Sequence, residues 1–223
     1  MNPTSLSLLA ETDCSQWLDS KARSSVLYVS FGSIARMSKA QLEEIAMGLL
    51  ESEQTFLWVV RPDILKSDQD ANDDGGILPK GFGEKTKNQG LVVPWATQLS
   101  VLSHPSVGGF FTNGGWNSKM ESLTLGVPML VFPQWDDQQT DRMLVVNQWN
   151  IGLKLETCSD DGVIEKGEIA RAAKCLVGSK EGEEMRRRSN ELRETIRKAA
   201  SVGGLSWLNQ QRLVDYIRVT QTQ

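Results

Sequence analysis

Along residues 24–155, short apolar runs rich in Val, Leu, Phe and Trp alternate with stretches whose apolar positions recur at helical spacing. Six of these runs read as buried parallel strands: 24–31, 55–60, 91–94, 107–112, 129–132 and 151–155. The first ends at Gly32-Ser33, and the second is stopped by Arg61-Pro62. Between them Leu42, Ile45, Ala46, Leu49 and Leu50 repeat at helical spacing, and Ser38 with Gln41 predicts a capping box, so a helix runs to about Glu53. Further helices are predicted over 98–103, 119–125 and 137–148, the last with Met143, Leu144 and Val145 inward. Two longer ones follow at 165–177 and 181–201. The second carries Glu183/Arg187, Glu184/Arg188 and Glu194/Lys198 at i,i+4 spacing. Ahead of the first strand, Asp13 caps a short helix anchored by Trp17 and Leu18; beyond the last, a terminal helix at 205–219 carries Trp207, Leu208, Leu213 and Ile217.

Strands alternating with helices give an α/β fold, a Rossmann-like doubly wound parallel sheet of about six strands, because connections of helical length force parallel pairing. The chain divides into a lead-in at 1–24, a main domain at 25–204 and a C-terminal helix at 205–223. In such sheets ligands bind beyond the carboxyl ends of the strands. That rule selects Gly32-Ser33, Trp95, Asn113 to Ser118 and the Asp137-Gln138 turn.

One stretch, Trp95 to Gln138, covers most of those positions. At its centre a strand, 107–112, runs into Asn113, Gly114, Gly115, Trp116, Asn117 and Ser118 and then a helix. A glycine turn that opens a helix leaves backbone N–H groups pointing outward with the positive helix end behind them, which favours a phosphate. Glu121, one turn beyond Ser118, is placed to accept hydrogen bonds from a pair of vicinal hydroxyls, and Trp95 offers a flat face for a base.

From Trp95 to Gln138, without insertion or deletion, this stretch resembles the donor-binding signature of plant small-molecule UDP-glycosyltransferases, which contains His-Cys-Gly-Trp-Asn-Ser. Three residues depart from the signature: Thr97 stands for proline, Asn113 for the histidine and Gly114 for the cysteine. The resemblance implies the C-terminal, donor-binding half of a GT-B fold. By that analogy Trp95 stacks on uracil, Ala96 meets its edge, Gln98 reaches the ribose region and Glu121 takes the ribose hydroxyls. Asn113, Gly115, Trp116, Asn117 and Ser118 surround the diphosphate, Gly32 and Ser33 approach from the first strand, and Asp137 and Gln138 meet the sugar. Gln138 is the residue of glucose users, so UDP-glucose is the expected donor. No metal or other cofactor is implied, since neutral donors and a helix N-terminus stabilise the departing UDP. Two of these side chains have competing structural roles, Trp116 as a core anchor and Gln138 as a helix cap.

Composition narrows the alternatives. A net charge of −4 and a pI near 5.2 oppose a nucleic-acid partner. Cys14, Cys158 and Cys175 are odd in number and widely spaced, which suits packed thiols in a reducing compartment. No apolar stretch approaches the ~20 residues that span a bilayer, and residues 1–12 lack a signal-peptide pattern; a cytoplasmic protein without a membrane partner is expected. The acidic run 63–77 reads as an exposed loop. Its Asp68-Gln-Asp70 copies the Asp-x-Asp of metal-dependent glycosyltransferases without a supporting strand, and the calcium-loop likeness beginning at Asp70 fails because its twelfth position is Gly81. Arg186 to Arg188 read as a solvated helix face. The single histidine, His104, reads as structural, and one histidine excludes HExxH and multi-His metal sites.

In the family an N-terminal half holds the acceptor and a histidine–aspartate pair that deprotonates it for inverting attack. No such half precedes Val26, so no catalytic residue is expected in this chain, which should bind a donor but transfer little, with acceptors engaged only alongside that half. Surface left by the missing half, around Trp17 or the terminal helix, is expected to support self-association. Two other readings stay open: a non-catalytic, degenerate nucleotide-sugar or interaction module, and a nucleotide-sugar epimerase of similar architecture.

Overall fold

The computed structural model describes residues 12–65, 76–156 and 162–220, except for the side chains of Asp136, Val219 and Thr220. Six strands are hydrogen-bonded in the order β3-β2-β1-β4-β5-β6, every neighbouring pair parallel: β1 Val26–Ser30, β2 Thr55–Val59, β3 Gly90–Val93, β4 Val107–Thr112, β5 Met129–Val131 and β6 Gly152–Lys154. Because successive side chains on a strand point to opposite faces, β1 feeds two cores. Leu27, Val29 and Phe31 pack under α2 (Lys39–Ser52) and α7 (Lys166–Gly178), while Val26 and Tyr28 pack with α1 (Ser15–Asp19), α4 (Gln98–Ser103) and α5 (Trp116–Leu125). Helix α8 (Lys180–Ala200) serves both, with Met185 in the first core and Leu192 and Ile196 against the second. Helices α3 (Phe82–Thr86), α6 (Asp136–Met143) and α9 (Leu205–Thr220) complete the set.

The strand order reverses direction between β1 and β4, whose register pairs Ser30 with Thr112. At that switch the loops after the two strands diverge and open a crevice. Here the crevice is bordered by Gly32 and by the turn 113–115, where Gly114 adopts φ +76°. A Cβ at Gly114 would lie 2.5 Å from Val131 Cγ1, so both backbone angle and space call for glycine.

Several local expectations are corrected. Helix α5 begins at Trp116, three residues before the predicted start, because Gly115 is its N-cap and Lys119 N–H already donates to Gly115 C=O at 2.9 Å. The capping box at Ser38 is half formed: Ser38 Oγ accepts from Gln41 N–H, but the Gln41 amide is drawn to Ile164, donating to its C=O at 3.1 Å and accepting from its N–H at 2.8 Å. Asp13 accepts from Ser15 N–H one residue before the N-cap Cys14. The helix 137–148 divides into α6 and a π-helical turn, Leu144–Gln148, and the change of pitch leaves Met143 61% exposed while Val145 is buried. On α8 the pair Glu184–Arg188 forms, but Arg187 turns to Glu184 and Glu191, and Glu194 to Arg193 and Arg197. Of the run Arg186 to Arg188, Arg187 is exposed, but Arg186 is only partly so and donates to the C=O groups of Gly108, Leu176 and Val177, tying α8 to β4 and to the end of α7. The Asp68/Asp70 motif, the calcium-like run beginning at Asp70 and Cys158 lie outside the described residues.

Candidate functional site

Two adjoining cavities lie beyond the carboxyl ends of β1, β2, β3 and β4 and share Gly32, Ser33 and Ser118. The first, of about 340 Å³, has Tyr28, Ser30 and Val59 beneath it and the segment 95–99 along one side. Burial pushes the Tyr28 phenol above its ordinary range. Trp95 is half-buried directly after Pro94, where β3 has ended, and Ala96 is buried beside it. Glu121, which also lines the cavity, stands on the second turn of α5. Its Oε2 accepts from Gln98 Nε2 at 2.6 Å, and the same amide donates to Ser118 Oγ at 3.1 Å. One side chain from the start of α4 thereby fixes two on α5, holding a carboxylate at the cavity wall.

The second cavity, about 440 Å³, is built around the N-terminus of α5. Asn113, Gly115, Trp116, Asn117 and Ser118 line one side, and Asp137 and Gln138 of α6 line another. Asn113 is buried, and its Oδ1 accepts from Thr112 Oγ1 at 3.4 Å. The left-handed angle in this turn belongs to Gly114, so Asn113 is not needed to supply it. Trp116 is 61% exposed, which rules out its reading as a core anchor. Gln138 is buried, and its Oε1 accepts from Gln134 N–H at 2.7 Å, one residue before the N-cap Trp135, so it fixes the turn ahead of α6 without capping the helix.

Every donor-site residue expected from the sequence lines one cavity or the other, those expected at the uridine the first and those expected at the phosphates and sugar the second, with Gly32, Ser33 and Ser118 lining both. His104 lies outside both. Its Nδ1 pairs with Ser106 Oγ at 2.8 Å and its Nε2 with Asp19 Oδ1 at 3.1 Å, so it ties the turn before β4 to α1.

Two buried cations that support the site escaped the sequence reading. Arg61, 1% exposed, donates through Nη1 to Gly32 C=O, through Nη2 to Ala35 C=O at 2.8 Å and through Nε to Asp63 at 3.0 Å, so it holds the loop after β1 in place. The burial of Asp63 opposes its ionisation, but the Arg61 hydrogen bond and charge prevail and hold the carboxyl below its usual value. Lys119, also 1% exposed, donates to Asp141 Oδ1 and lies 4.1 Å from the Trp116 ring centre. No local pattern marks either residue, because the partners that bury them include groups distant in sequence, Gly32 and Ala35 for Arg61 and Asp141 for Lys119.

The profile of the family described as "UDP-glucoronosyl and UDP-glucosyl transferase" matches residues 10–168. The chain belongs to that family. Among curated relatives, UDP-glycosyltransferase 86A2 of Arabidopsis thaliana is 45% identical over 195 residues, 87% of this chain and 39% of its own length. Phloretin 4'-O-glucosyltransferase of Malus domestica is 42% identical over 207 residues, 92% of this chain and 42% of its own. Phytolacca americana UGT2, solved with UDP-2fluoro-glucose and pterostilbene, superposes with a TM-score of 0.82 at 37% identity, over 94% of this chain and 45% of that one. Os79 of O. sativa, solved with UDP, gives 0.78 at 31%, over 89% and 42%. The chain spans about two fifths of the length of these curated relatives and corresponds to the C-terminal half of the UDP-glycosyltransferase, with its GT-B architecture. The degenerate-module reading is not favoured by these matches. Among the described residues no helix is long and apolar enough to cross a membrane.

Proposed function

We propose that this chain binds UDP-glucose as the donor half of an inverting, metal-independent, cytoplasmic glycosyltransferase that glucosylates small hydroxylated acceptors. The uracil stacks on Trp95 against the Ala96 backbone, and Glu121, held by Gln98, accepts from the ribose hydroxyls. The diphosphate lies over the N-terminus of α5, between Gly32-Ser33 and residues Asn113 to Ser118. The glucose reaches Asp137 and Gln138. Such an arrangement supplies transition-state stabilisation without a cation, because helix N–H groups and neutral side-chain donors are fixed where charge develops on the leaving UDP.

The observation that carries this reading is the pairing of the cavities: a carboxylate and an indole flank the first, a glycine-bordered helix N-terminus the second, and both share Gly32, Ser33 and Ser118. The Phytolacca structure with UDP-2fluoro-glucose and the Os79 structure with UDP support it by likeness. Titration calorimetry of UDP and UDP-glucose tests it. We expect both to bind and Glu121→Ala to weaken UDP by tenfold or more, since hydrogen bonds to a charged group contribute about 1.5–3 kcal/mol. No binding of either ligand at millimolar concentration would overturn the donor-site reading.

A further inference from the structure

Lys119 and Asp141 are twenty-two residues apart and almost wholly buried, and the ammonium donates directly to the carboxylate. Burying a charge is unfavourable unless it is paired and hydrogen-bonded, and a buried pair fixes geometry more dependably than it adds stability. The ammonium is also 4.1 Å from the ring centre of Trp116 and 5.8 Å from that of Trp149, so one cation gathers α5, α6 and the end of the π-turn. Lys119 follows Ser118 directly, on the first turn of α5. Asp141 lies three residues beyond Gln138 on α6, which puts the two on one helical face. The pair therefore joins the helix whose N-terminus faces the phosphate side of the second cavity to the helix that carries Asp137 and Gln138.

We propose that the Lys119–Asp141 ion pair is a strut that sets the spacing of α5 and α6, making both positioning residues that determine how well the chain distinguishes a UDP-sugar from UDP. This inference rests on the donor-site reading above. UDP engages the first cavity, which no α6 residue lines, and the start of α5, whereas the sugar needs Asp137 and Gln138 in register with the phosphates. Loss of the strut should therefore fall on the sugar. A purely structural role would weaken both ligands alike.

The test compares dissociation constants of UDP and UDP-glucose, by calorimetry, for the unaltered chain, for Lys119→Met/Asp141→Asn and for Asp141→Asn. The double substitution removes both charges at nearly constant volume and cuts the tie. UDP-glucose should weaken by about tenfold, the loss of one or two neutral hydrogen bonds, and UDP by less than about twofold. Asp141→Asn keeps an acceptor for Lys119 Nζ and should shift the ratio by about two- to threefold in the same direction. Equal weakening of both ligands, or an unchanged ratio in the double variant, overturns the strut while leaving the donor site standing. Should the double variant not fold, an unchanged ratio in Asp141→Asn overturns it and the expected shift supports it. If the unaltered chain binds no UDP, the donor-site reading fails first and the inference falls with it.

Discussion

At the scale of single residues, Asn113 occupies the position of the signature histidine. A histidine there donates a hydrogen bond and, when protonated, carries charge toward the diphosphate, whereas asparagine keeps a donor without charge. The alternative, that asparagine is present to tolerate a left-handed turn, loses force because the positive φ falls on Gly114. Asn113 borders the second cavity and lies against Gly32: a Cβ there would be 3.8 Å from Asn113 Oδ1. Asn113→His should therefore tighten UDP binding by up to about tenfold, the difference between a neutral and a charge-assisted hydrogen bond, and more strongly as pH falls toward 6 and the imidazole protonates. Dissociation constants between pH 6 and 8 check this, and a flat response would show that the side chain makes no polar contact with the diphosphate. The polar residues of the site were legible in the sequence because turn chemistry and a fixed-spacing signature mark them. Arg61 and Lys119 were not, since a charged residue at a strand end or on the first turn of a helix looks solvated until its distant partners are known.

Among the elements, the strands were the easiest to read. Continuous Val, Leu and Phe runs have few other uses in an α/β chain, and observed ends fall within two residues of those predicted, as β4 shows at 107–112 and β1 at 26–30. Helix starts were harder at the site itself. Trp116, Asn117 and Ser118 read as turn residues, yet they form the first turn of α5, whose N-terminus no described side chain caps. The loop after β1 depends on Arg61 in a similar way, since two of its hydrogen bonds fix the segment containing Gly32 and Ala35 while a third anchors the guanidinium to Asp63 beyond β2. Arg61→Met should cost about 2–4 kcal/mol of stability, because it leaves buried carbonyls of Gly32 and Ala35 without their donor. It should also weaken UDP severalfold by freeing Gly32 and Ser33 from the cavity edge. Chemical denaturation together with UDP titration measures both effects, and a stable variant with unaltered affinity would show that the loop holds its shape without the guanidinium.

For the whole molecule, the sheet order placed the site before any ligand was considered, since a switch between β1 and β4 opens one crevice and the signature residues occupy it. What the sequence pattern left undecided is the fate of α9. The expected apolar positions are present, yet Leu205, Leu208, Leu213, Tyr216 and Ile217 are all exposed on it, and Val202 is exposed just before it. Periodicity reports that a helix has an apolar side; it does not report which partner covers that side. Among the described residues Leu205, Leu208 and Leu213 stay exposed on it, and exposed apolar side chains of this kind favour association. We therefore expect concentration-dependent self-association in sedimentation velocity, reduced by Leu205→Ser/Leu208→Ser, and a single monomeric species at all concentrations would refute it. Catalysis by the same 223 residues should be nearly absent. The only histidine is engaged with Asp19 and Ser106 outside the donor cavities, and general-base assistance is worth about 10²–10⁴-fold, with acceptor positioning contributing more. Incubation with UDP-glucose and a phenolic acceptor should give no product above the uncatalysed background. Robust glucoside formation would place a working base among these residues and require a different account of the acceptor side.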